Sequence, residues 1–216
     1  YCTKIQACPS FELVEVHDYH PSKYKKKNEI HLSSGKNLSP PVVKKSFAEI
    51  ENGSDLRAVV IGVGGSGVTT ISRIIAEASR SMSDQLHFKF MDQKGLAQRN
   101  GSVISHMAIY SHHKTHGPVT PLGSADLVLS PDLIEGARAV SYLSPTGRLI
   151  VDDDFQIPLS LLLDDGVEKD PVSQEDIKKD LLNKLGERVC IVPLKKMSFD
   201  RFGRPVYASA MILGVA

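Results

Sequence analysis

Short apolar segments alternate with segments of helical periodicity along most of the chain. From residue 56 onward, runs rich in β-branched residues predict buried strands, because such residues pack well in a sheet that is covered on both faces. Six strands are predicted, over residues 57–62, 87–91, 102–110, 125–129, 148–151 and 189–193. The third run alternates between apolar and polar residues, so we expect that strand to be more exposed on one side.

Helices are predicted between these strands. Residues 68–79 carry apolar side chains at helical spacing, and a second helix is predicted over 132–140. A third helix, over 174–185, has Ser173 as its N-cap and Gly186 just past its end. This alternation predicts an α/β fold, a doubly wound, mostly parallel sheet with helices on both faces.

The first 55 residues differ in composition from the rest of the chain. Residues 23–27 include four lysines, and Ser39-Pro40-Pro41 follows, which together predict a solvated linker over 11–55. Residue 1 is Tyr, and the last residues, 208–216, look like an apolar helix that is cut short. We therefore interpret the chain as a piece of a longer polypeptide.

The composition is that of a globular protein with little charge bias. Of the 216 residues, 26 are Lys or Arg and 25 are Asp or Glu, which argues against a nucleic-acid partner. No apolar run reaches the ~20 residues that a membrane helix requires. Three cysteines do not make a secreted disulfide framework. We expect a cytoplasmic protein that binds neither nucleic acid nor a membrane.

A glycine-rich turn, Gly62-Val-Gly-Gly-Ser-Gly67, lies between the first predicted strand and the first predicted helix. It fits G-x-G-x-x-G in the context that this motif requires. Glycines let a phosphate approach the backbone, and a helix N-terminus offers N–H donors. Asp92 ends the second predicted strand, near where a ribose-binding acid would lie. A dinucleotide (NAD or FAD) site and a tight turn without a ligand both stay open.

Four segments of this chain carry a resemblance, and they are residues 61–77, 94–106, 123–129 and 142–147. In this order they resemble the gamma domain of 2-oxoacid:ferredoxin oxidoreductases. The second segment, with Gln98 and Arg99 before Gly101, looks most like the indolepyruvate branch. The resemblance implies a gamma-type domain over 56–216. Ser66 stands where the family commonly carries Gln, so the role of that position does not carry over directly.

The resemblance implies a chemistry shared with other domains. In this family thiamine diphosphate and Mg act on the 2-oxoacid, coenzyme A accepts the acyl group, and electrons pass through iron–sulfur clusters to ferredoxin. No catalytic residue is expected in this chain. It would pack against thiamine-binding domains or subunits. Because the glycine turn and the 93–101 loop both lie at the ends of predicted strands, we expect them to face that contact. The candidate cofactor-side residues are Gly62, Gly64, Gly65, Ser66, Gly67, Gln98 and Arg99.

Cys2 and Cys8 lie in a segment, residues 1–10, that resembles the trailing half of a ferredoxin-type cluster motif, with Pro9 after the last cysteine. The resemblance implies that both thiolates are ligands of an iron–sulfur cluster whose other ligands precede Tyr1. From the spacing alone, incidental thiols are the simpler interpretation. Cys190 falls in an apolar strand and is expected to be a core residue.

Two further clusters have metal-ligand character. His113 and His116 have a suitable spacing, although a solvated loop is the preferred interpretation. Asp152, Asp153 and Asp154 could hold Mg²⁺, although capping and solvation explain them more simply.

Beside the enzyme component and the dinucleotide-binding domain, a purely structural assembly module is the third functional hypothesis.

Overall fold

One six-stranded sheet organises the protein in the computed structural model, which describes residues 50, 54–82, 86–95, 101–111, 117–155 and 173–216. The strands are β1 (Asp55–Val63), β2 (Leu86–Lys94), β3 (Ser102–Ser111), β4 (Ala125–Ser130), β5 (Leu143–Asp152) and β6 (Val189–Val192). The helices are α1 (Val68–Met82), α2 (Leu133–Arg138), α3 (Gln174–Leu185), α4 (Leu194–Phe202) and α5 (Ala208–Met211). Short 3-10 turns cover Ala139–Tyr142, Gly186–Arg188, Pro205–Tyr207 and Ile212–Gly214.

The strand order is β2-β3-β1-β4-β5-β6. β1, β4, β5 and β6 are parallel neighbours, whereas β3 is antiparallel to both β1 and β2. Since β1 and β2 both oppose β3, five strands run in one direction. The predicted α/β class and the mostly parallel sheet are confirmed. β2 and β3 are antiparallel neighbours, and an antiparallel pair can be joined without a helical crossover.

The environment of β3 differs from the one that its alternating sequence predicted. β3 lies inside the sheet, with β1 on one side and β2 on the other, and its residues 105–111 are all buried. The prediction of one exposed side is therefore wrong. Two of its buried polar residues, Ser105 and His106, are accommodated by hydrogen bonds instead. The buried His106 imidazole accepts the Thr120 N–H at Nδ1, 3.3 Å away, and its Nε2 lies 3.2 Å from Gln93 Oε1.

Each face of the sheet carries its own apolar core. Val60 points to one face, where it packs with α1 and with Ile212 near the carboxyl end. Val59 points to the other, where it packs with Leu133 of α2 and Leu181 of α3. Successive strand residues face opposite sides, so two covered faces require the unbroken apolar runs that predicted these strands. Cys190 lies in the first core, as expected, and burial raises the pKa of its thiol.

Helix boundaries follow local capping chemistry. Ser173 Oγ accepts the Asp176 N–H at 3.1 Å, and Gly186 ends α3 with φ of 56°, so both predicted caps are confirmed. The helix predicted over 132–140 is shorter. Asp132 is its N-cap, with Oδ1 accepting the Glu135 N–H at 2.8 Å, and the chain tightens into a 3-10 turn after Arg138. None of the described helices is both long and apolar enough to cross a bilayer.

Candidate functional site at the carboxyl edge of the sheet

The loops that follow the parallel strands meet at one edge of the sheet. The glycine turn follows β1, Pro131 follows β4, the acidic run 152–154 follows β5, and Leu194 follows β6. After β1, helix α1 leads to β2, and β2 and β3 extend the sheet on one side of β1. The chain then crosses over to add β4 on the other side of β1. Such a switch in strand order opens a crevice at the carboxyl ends of the strands, which is where α/β proteins bind ligands.

The glycine turn owes its composition to conformation and close packing. Gly65 and Gly67 adopt φ of 94° and 88°, which side chains of L-residues rarely tolerate. A Cβ on Gly62 would lie 2.6 Å from Ser66 Oγ, and one on Gly67 would lie 2.8 Å from the side chain of Ser209. The turn therefore requires glycine for folding at these positions. The motif by itself does not demand a ligand.

The glycine turn adjoins both ends of the loop that follows β2. The Gly64 N–H donates to the Gly101 carbonyl at 2.8 Å, and the Gly95 N–H donates to the Ser102 carbonyl at 3.0 Å. Gly95 and Gly101 line a cleft of about 500 Å³ together with the turn and Thr70. Gln98 and Arg99 lie outside the described residues. The loop that carries them starts and ends beside the turn.

The position of Asp92 disagrees with the dinucleotide interpretation. In a dinucleotide-binding fold the acidic residue ends a strand that adjoins β1, but here β3 is inserted between β1 and β2. Asp92 is opposite Ser105, whose hydroxyl donates to its carboxylate, and Ser105 is in turn opposite Val60 of β1. Two strand spacings, about 10 Å, separate Asp92 from β1. The expectation that Asp92 would serve a ribose at the glycine turn is therefore wrong.

A second cleft, of about 640 Å³, lies on the other side of the glycine turn. It is bounded by the turn, by the ends of β4 and β5, and by the segment that leads into α5. Its lining residues include Ser66, Gly67, Pro131, Asp152, Lys195, Val206, Tyr207 and Ser209. The residues after 193 were not singled out by any sequence motif, because apolar and aromatic residues near a chain end predict packing rather than a site.

Asp152 forms the buried polar part of this second cleft. Its side chain is 0 % exposed, and Oδ1 accepts the Leu194 N–H at 3.0 Å, which caps the start of α4. Oδ2 is buried and has no hydrogen-bond partner among the described residues. Burial raises the pKa of Asp152 from 3.8 to about 6, and the nearby carboxylates of Asp154 and Asp153 add to the rise. One oxygen of this carboxylate thus remains without a hydrogen bond beside the cleft.

The rest of the acidic run is paired with lysines. Asp153 lies 3.5 Å from Lys178 Nζ, and Asp154 is ion-paired with Lys195, while the Asp154 carbonyl accepts the Leu133 N–H at 2.8 Å. These contacts support the capping role predicted for the run. In the part of the chain that the structure describes, no group of three or more His, Cys, Asp or Glu residues is arranged to hold a metal ion.

The remaining candidate metal ligands cannot be placed. Cys2 and Cys8, and likewise His113 and His116, lie outside the described residues. Their assignments stay predictions from the sequence. Most of the predicted linker over 11–55 also lies outside the described residues. Its last residue, Asp55, is the first residue of β1.

Comparison with known proteins identifies the family. Residues 57–216 match the family model described as pyruvate ferredoxin/flavodoxin oxidoreductase. The indolepyruvate oxidoreductase subunit IorB of Archaeoglobus fulgidus is 31 % identical over 160 residues, covering 74 % of this chain and 75 % of that protein. The same subunit from Methanothermobacter thermautotrophicus is 35 % identical over 103 residues, 48 % of this chain, and the match spans half of that relative.

A solved structure, a pyruvate oxidoreductase subunit of Thermotoga maritima, is also similar. It has a TM-score of 0.48 and 16 % identity, and the match covers 75 % of this chain and 78 % of that one. The family model extends over most of the chain and includes both clefts at the carboxyl edge. The chain belongs to the pyruvate ferredoxin/flavodoxin oxidoreductase family, and its relatives among indolepyruvate oxidoreductase subunits agree with the resemblance seen in its sequence.

Proposed function

We propose that this chain is the gamma-type component of an indolepyruvate-type 2-oxoacid:ferredoxin oxidoreductase, in which it forms part of the contact with thiamine-binding domains or subunits. The observation that carries the proposal is the meeting of the glycine turn with both ends of the 95–101 loop at one edge of the sheet. The glycine turn and the 93–101 loop are the two segments that we expect at that contact, because both lie at the ends of predicted strands. Membership of the family supports the class of reaction.

In the proposal, this chain positions its partner domains and does not catalyse a step itself. Thiamine diphosphate with Mg, coenzyme A and iron–sulfur clusters supply the decarboxylation, the acyl acceptor and the electron path to ferredoxin when they are bound in the complete enzyme. In the proposal, the glycine turn offers backbone rather than side-chain atoms to its partner, because Gly64 and Gly65 are both exposed. Gln98 and Arg99 would add the side-chain contacts. Cys2 and Cys8 would donate two thiolates to a cluster.

The dinucleotide-binding domain is the weaker candidate. Its acidic residue, Asp92, is separated from the glycine turn by β3. A domain of that kind would bind NAD without any 2-oxoacid partner. The hypothesis of a purely structural assembly module is compatible with the geometry. It differs from the proposal in one expectation, which is that loss of the contact breaks up the complex without lowering the turnover of the remaining assembly.

The test is turnover of the complete complex. The chain is produced anaerobically with its thiamine-binding partner, and coenzyme A-dependent reduction of a viologen dye is measured with indolepyruvate, pyruvate and 2-oxoglutarate. Indolepyruvate is expected to be the preferred substrate. Preference for another 2-oxoacid would discard the indolepyruvate branch but keep the family chemistry. Absence of reduction with all three, in a complex shown to contain its clusters, would refute the proposal.

Variants of the loop separate positioning from assembly. Gln98→Ala and Arg99→Ala are expected to lower turnover while the complex still assembles and the chain unfolds at an unchanged temperature. Lys184→Ala, at an exposed position in the last turn of α3, is the matched control for the loss of a cation. Wild-type turnover in both loop variants would contradict the assigned contact. Dissociation of the complex with intact activity of the residual assembly would favour the assembly module.

A further inference from the structure

A buried carboxylate connects α2 to the start of β3. The Glu135 side chain is 5 % exposed, and its Oε2 accepts the Ser102 hydroxyl at 2.7 Å, although the two residues are 33 positions apart in the chain. Its second oxygen, Oε1, accepts an N–H of Arg138. The cap of α2 does not require this carboxylate, because Asp132 Oδ1 accepts the Glu135 N–H. The Glu135 side chain therefore serves a contact with a strand rather than the end of its own helix.

Helix α2 is held closely against the sheet, so Glu135 has a fixed position. Leu133 is fully buried, and its N–H donates to the Asp154 carbonyl at 2.8 Å. A Cβ on Gly136 would lie 2.7 Å from the side chain of Val151, so the helix approaches β5 more closely than a larger residue would permit. Packing at this density leaves the Glu135 side chain few alternative positions.

Ser102 lies at the point where the loop after β2 returns to the sheet. Its carbonyl accepts the Gly95 N–H at 3.0 Å, and the Gly101 carbonyl accepts the Gly64 N–H at 2.8 Å. These two backbone bonds connect the ends of the loop to each other and to the glycine turn. The Ser102 hydroxyl adds the bond to Glu135. The trailing end of the loop is thereby tied to a helix that is itself fixed on the sheet.

The bond between Ser102 and Glu135 is of the stronger kind. A hydroxyl that donates to a carboxylate makes a charge-assisted hydrogen bond, which is about twice as strong as a bond between neutral groups. A carboxylate oxygen that loses its donor away from water keeps the full cost of desolvation. Arg138 does not replace the lost donor, because its side chain is 59 % exposed and bonds the other oxygen.

We propose that Glu135 is a positioning residue, which fixes the loop after β2 beside the glycine turn through the hydroxyl of Ser102. This loop includes Gln98 and Arg99, so the effect on turnover rests on the proposed function. Glu135 acts through Ser102 and contacts no reacting group itself. Loss of the bond should let the end of the loop shift, and a misplacement of about 1 Å can lower a rate by about 100-fold even when the change is far from the chemistry.

Hydrogen exchange of backbone amides in the complete chain, followed by mass spectrometry, tests the anchor without any turnover. Ser102→Ala and Glu135→Ala should each speed exchange in the peptide that covers residues 95–103 by about fivefold or more, the factor expected for one lost hydrogen bond. Peptides from β4 and β5 should exchange as in wild type. Ser102→Ala decides the question if Glu135→Ala does not fold, because it removes a single oxygen atom.

Two further variants separate the bond from general damage. Glu135→Gln is the rescue variant, because its carbonyl oxygen can still accept the Ser102 hydroxyl, and exchange should stay within about twofold of wild type. Arg138→Ala is the matched control, since it removes the other bond of the same carboxylate and should also stay within about twofold. The double variant of Ser102→Ala and Glu135→Ala should be no worse than the worse single variant, as expected for two side chains that act through one bond.

Turnover of the complete complex then tests the consequence. Ser102→Ala and Glu135→Ala are expected to lower kcat about tenfold, because the loop is misplaced in the assembled enzyme. The KM for the 2-oxoacid should stay within about twofold, since in the proposed function that substrate is bound in the partner domains. Glu135→Gln should recover most of the kcat, and Arg138→Ala should leave it unchanged.

Three outcomes are distinguishable. Unchanged exchange in a folded Ser102→Ala variant would overturn the anchor. Faster exchange with wild-type kcat would overturn the positioning role, because the bond would then matter for local stability alone. Failure of the proposed function has a different sign, which is an absence of turnover in the wild-type complex, and hydrogen exchange then decides on the anchor by itself.

Discussion

Replacing Asp152 by asparagine should stabilise the folded protein at neutral pH. The carboxylate is 0 % exposed, and one of its oxygens has no hydrogen-bond partner among the described residues. Asparagine has nearly the same shape, and its carbonyl oxygen can still accept the Leu194 N–H that Oδ1 accepts now. The substitution therefore removes a buried charge while it keeps the cap of α4.

The magnitude follows from the pKa of Asp152. Folding raises it from 3.8 to about 6, chiefly through burial, so the folded state favours the protonated acid. The cost of holding the carboxylate ionised is absent below about pH 4 and fully present above about pH 6. A pKa difference of about 2 corresponds to a cost of about 3 kcal/mol at pH 7.5 and about 1 kcal/mol at pH 4.5.

The assay is urea unfolding of the wild-type and Asp152→Asn chains at both pH values. The variant is expected to unfold with a free energy up to about 3 kcal/mol higher than wild type at pH 7.5, since the buried Asn N–H groups offset part of the gain, and with a gain about 2 kcal/mol smaller at pH 4.5. Asp153→Asn is the control, because Asp153 is partly exposed and pairs with Lys178. Its effect should stay within about 0.5 kcal/mol at either pH.

The reasoning is refuted if the variant shows no gain at pH 7.5, or if the gain does not shrink as the pH falls. The first outcome would mean that the carboxylate is already compensated in the folded protein. The second would mean that the substitution acts through packing rather than charge.

Two further predictions concern folding. Gly67→Ala should lower the free energy of urea unfolding by about 1–3 kcal/mol, because φ is 88° and the new Cβ would lie 2.8 Å from Ser209. Gly203→Ala, with left-handed φ of 70° and open space around the Cβ, should cost about 1 kcal/mol, and equal losses would contradict the packing argument. Burial lowers the pKa of His106, so the stability that its neutral ring contributes is fully present above about pH 6.5 and is lost as the pH falls below that value. His106→Gln should reduce this loss in urea unfolding between pH 7 and 5, and an unchanged pH profile would mean that the pKa of His106 is the same in the folded and unfolded protein.

Local patterns in the sequence accounted for the strands and for the helices before residue 186, whereas the helix Leu194–Phe202 was not predicted. Apolar runs located all six described strands, since both faces of the sheet are covered, and Ser173 and Gly186 marked the ends of α3 because capping depends on neighbouring residues. The alternation in β3 gave a wrong prediction of exposure, because a polar residue such as His106 can be buried when other segments supply its hydrogen bonds.

What only the tertiary structure decided is which residues share a site. The sequence by itself determined the α/β class, the glycine turn and the family resemblance, since these depend on periodicity and on residues close together in the chain. Strand order is a long-range property, and the insertion of β3 moved Asp92 away from the glycine turn. The same folding brought Asp152 and Tyr207 to one cleft beside Gly67, although they are far apart in the chain. Burial then left one carboxylate oxygen without a partner, and no local pattern of residues encodes that outcome.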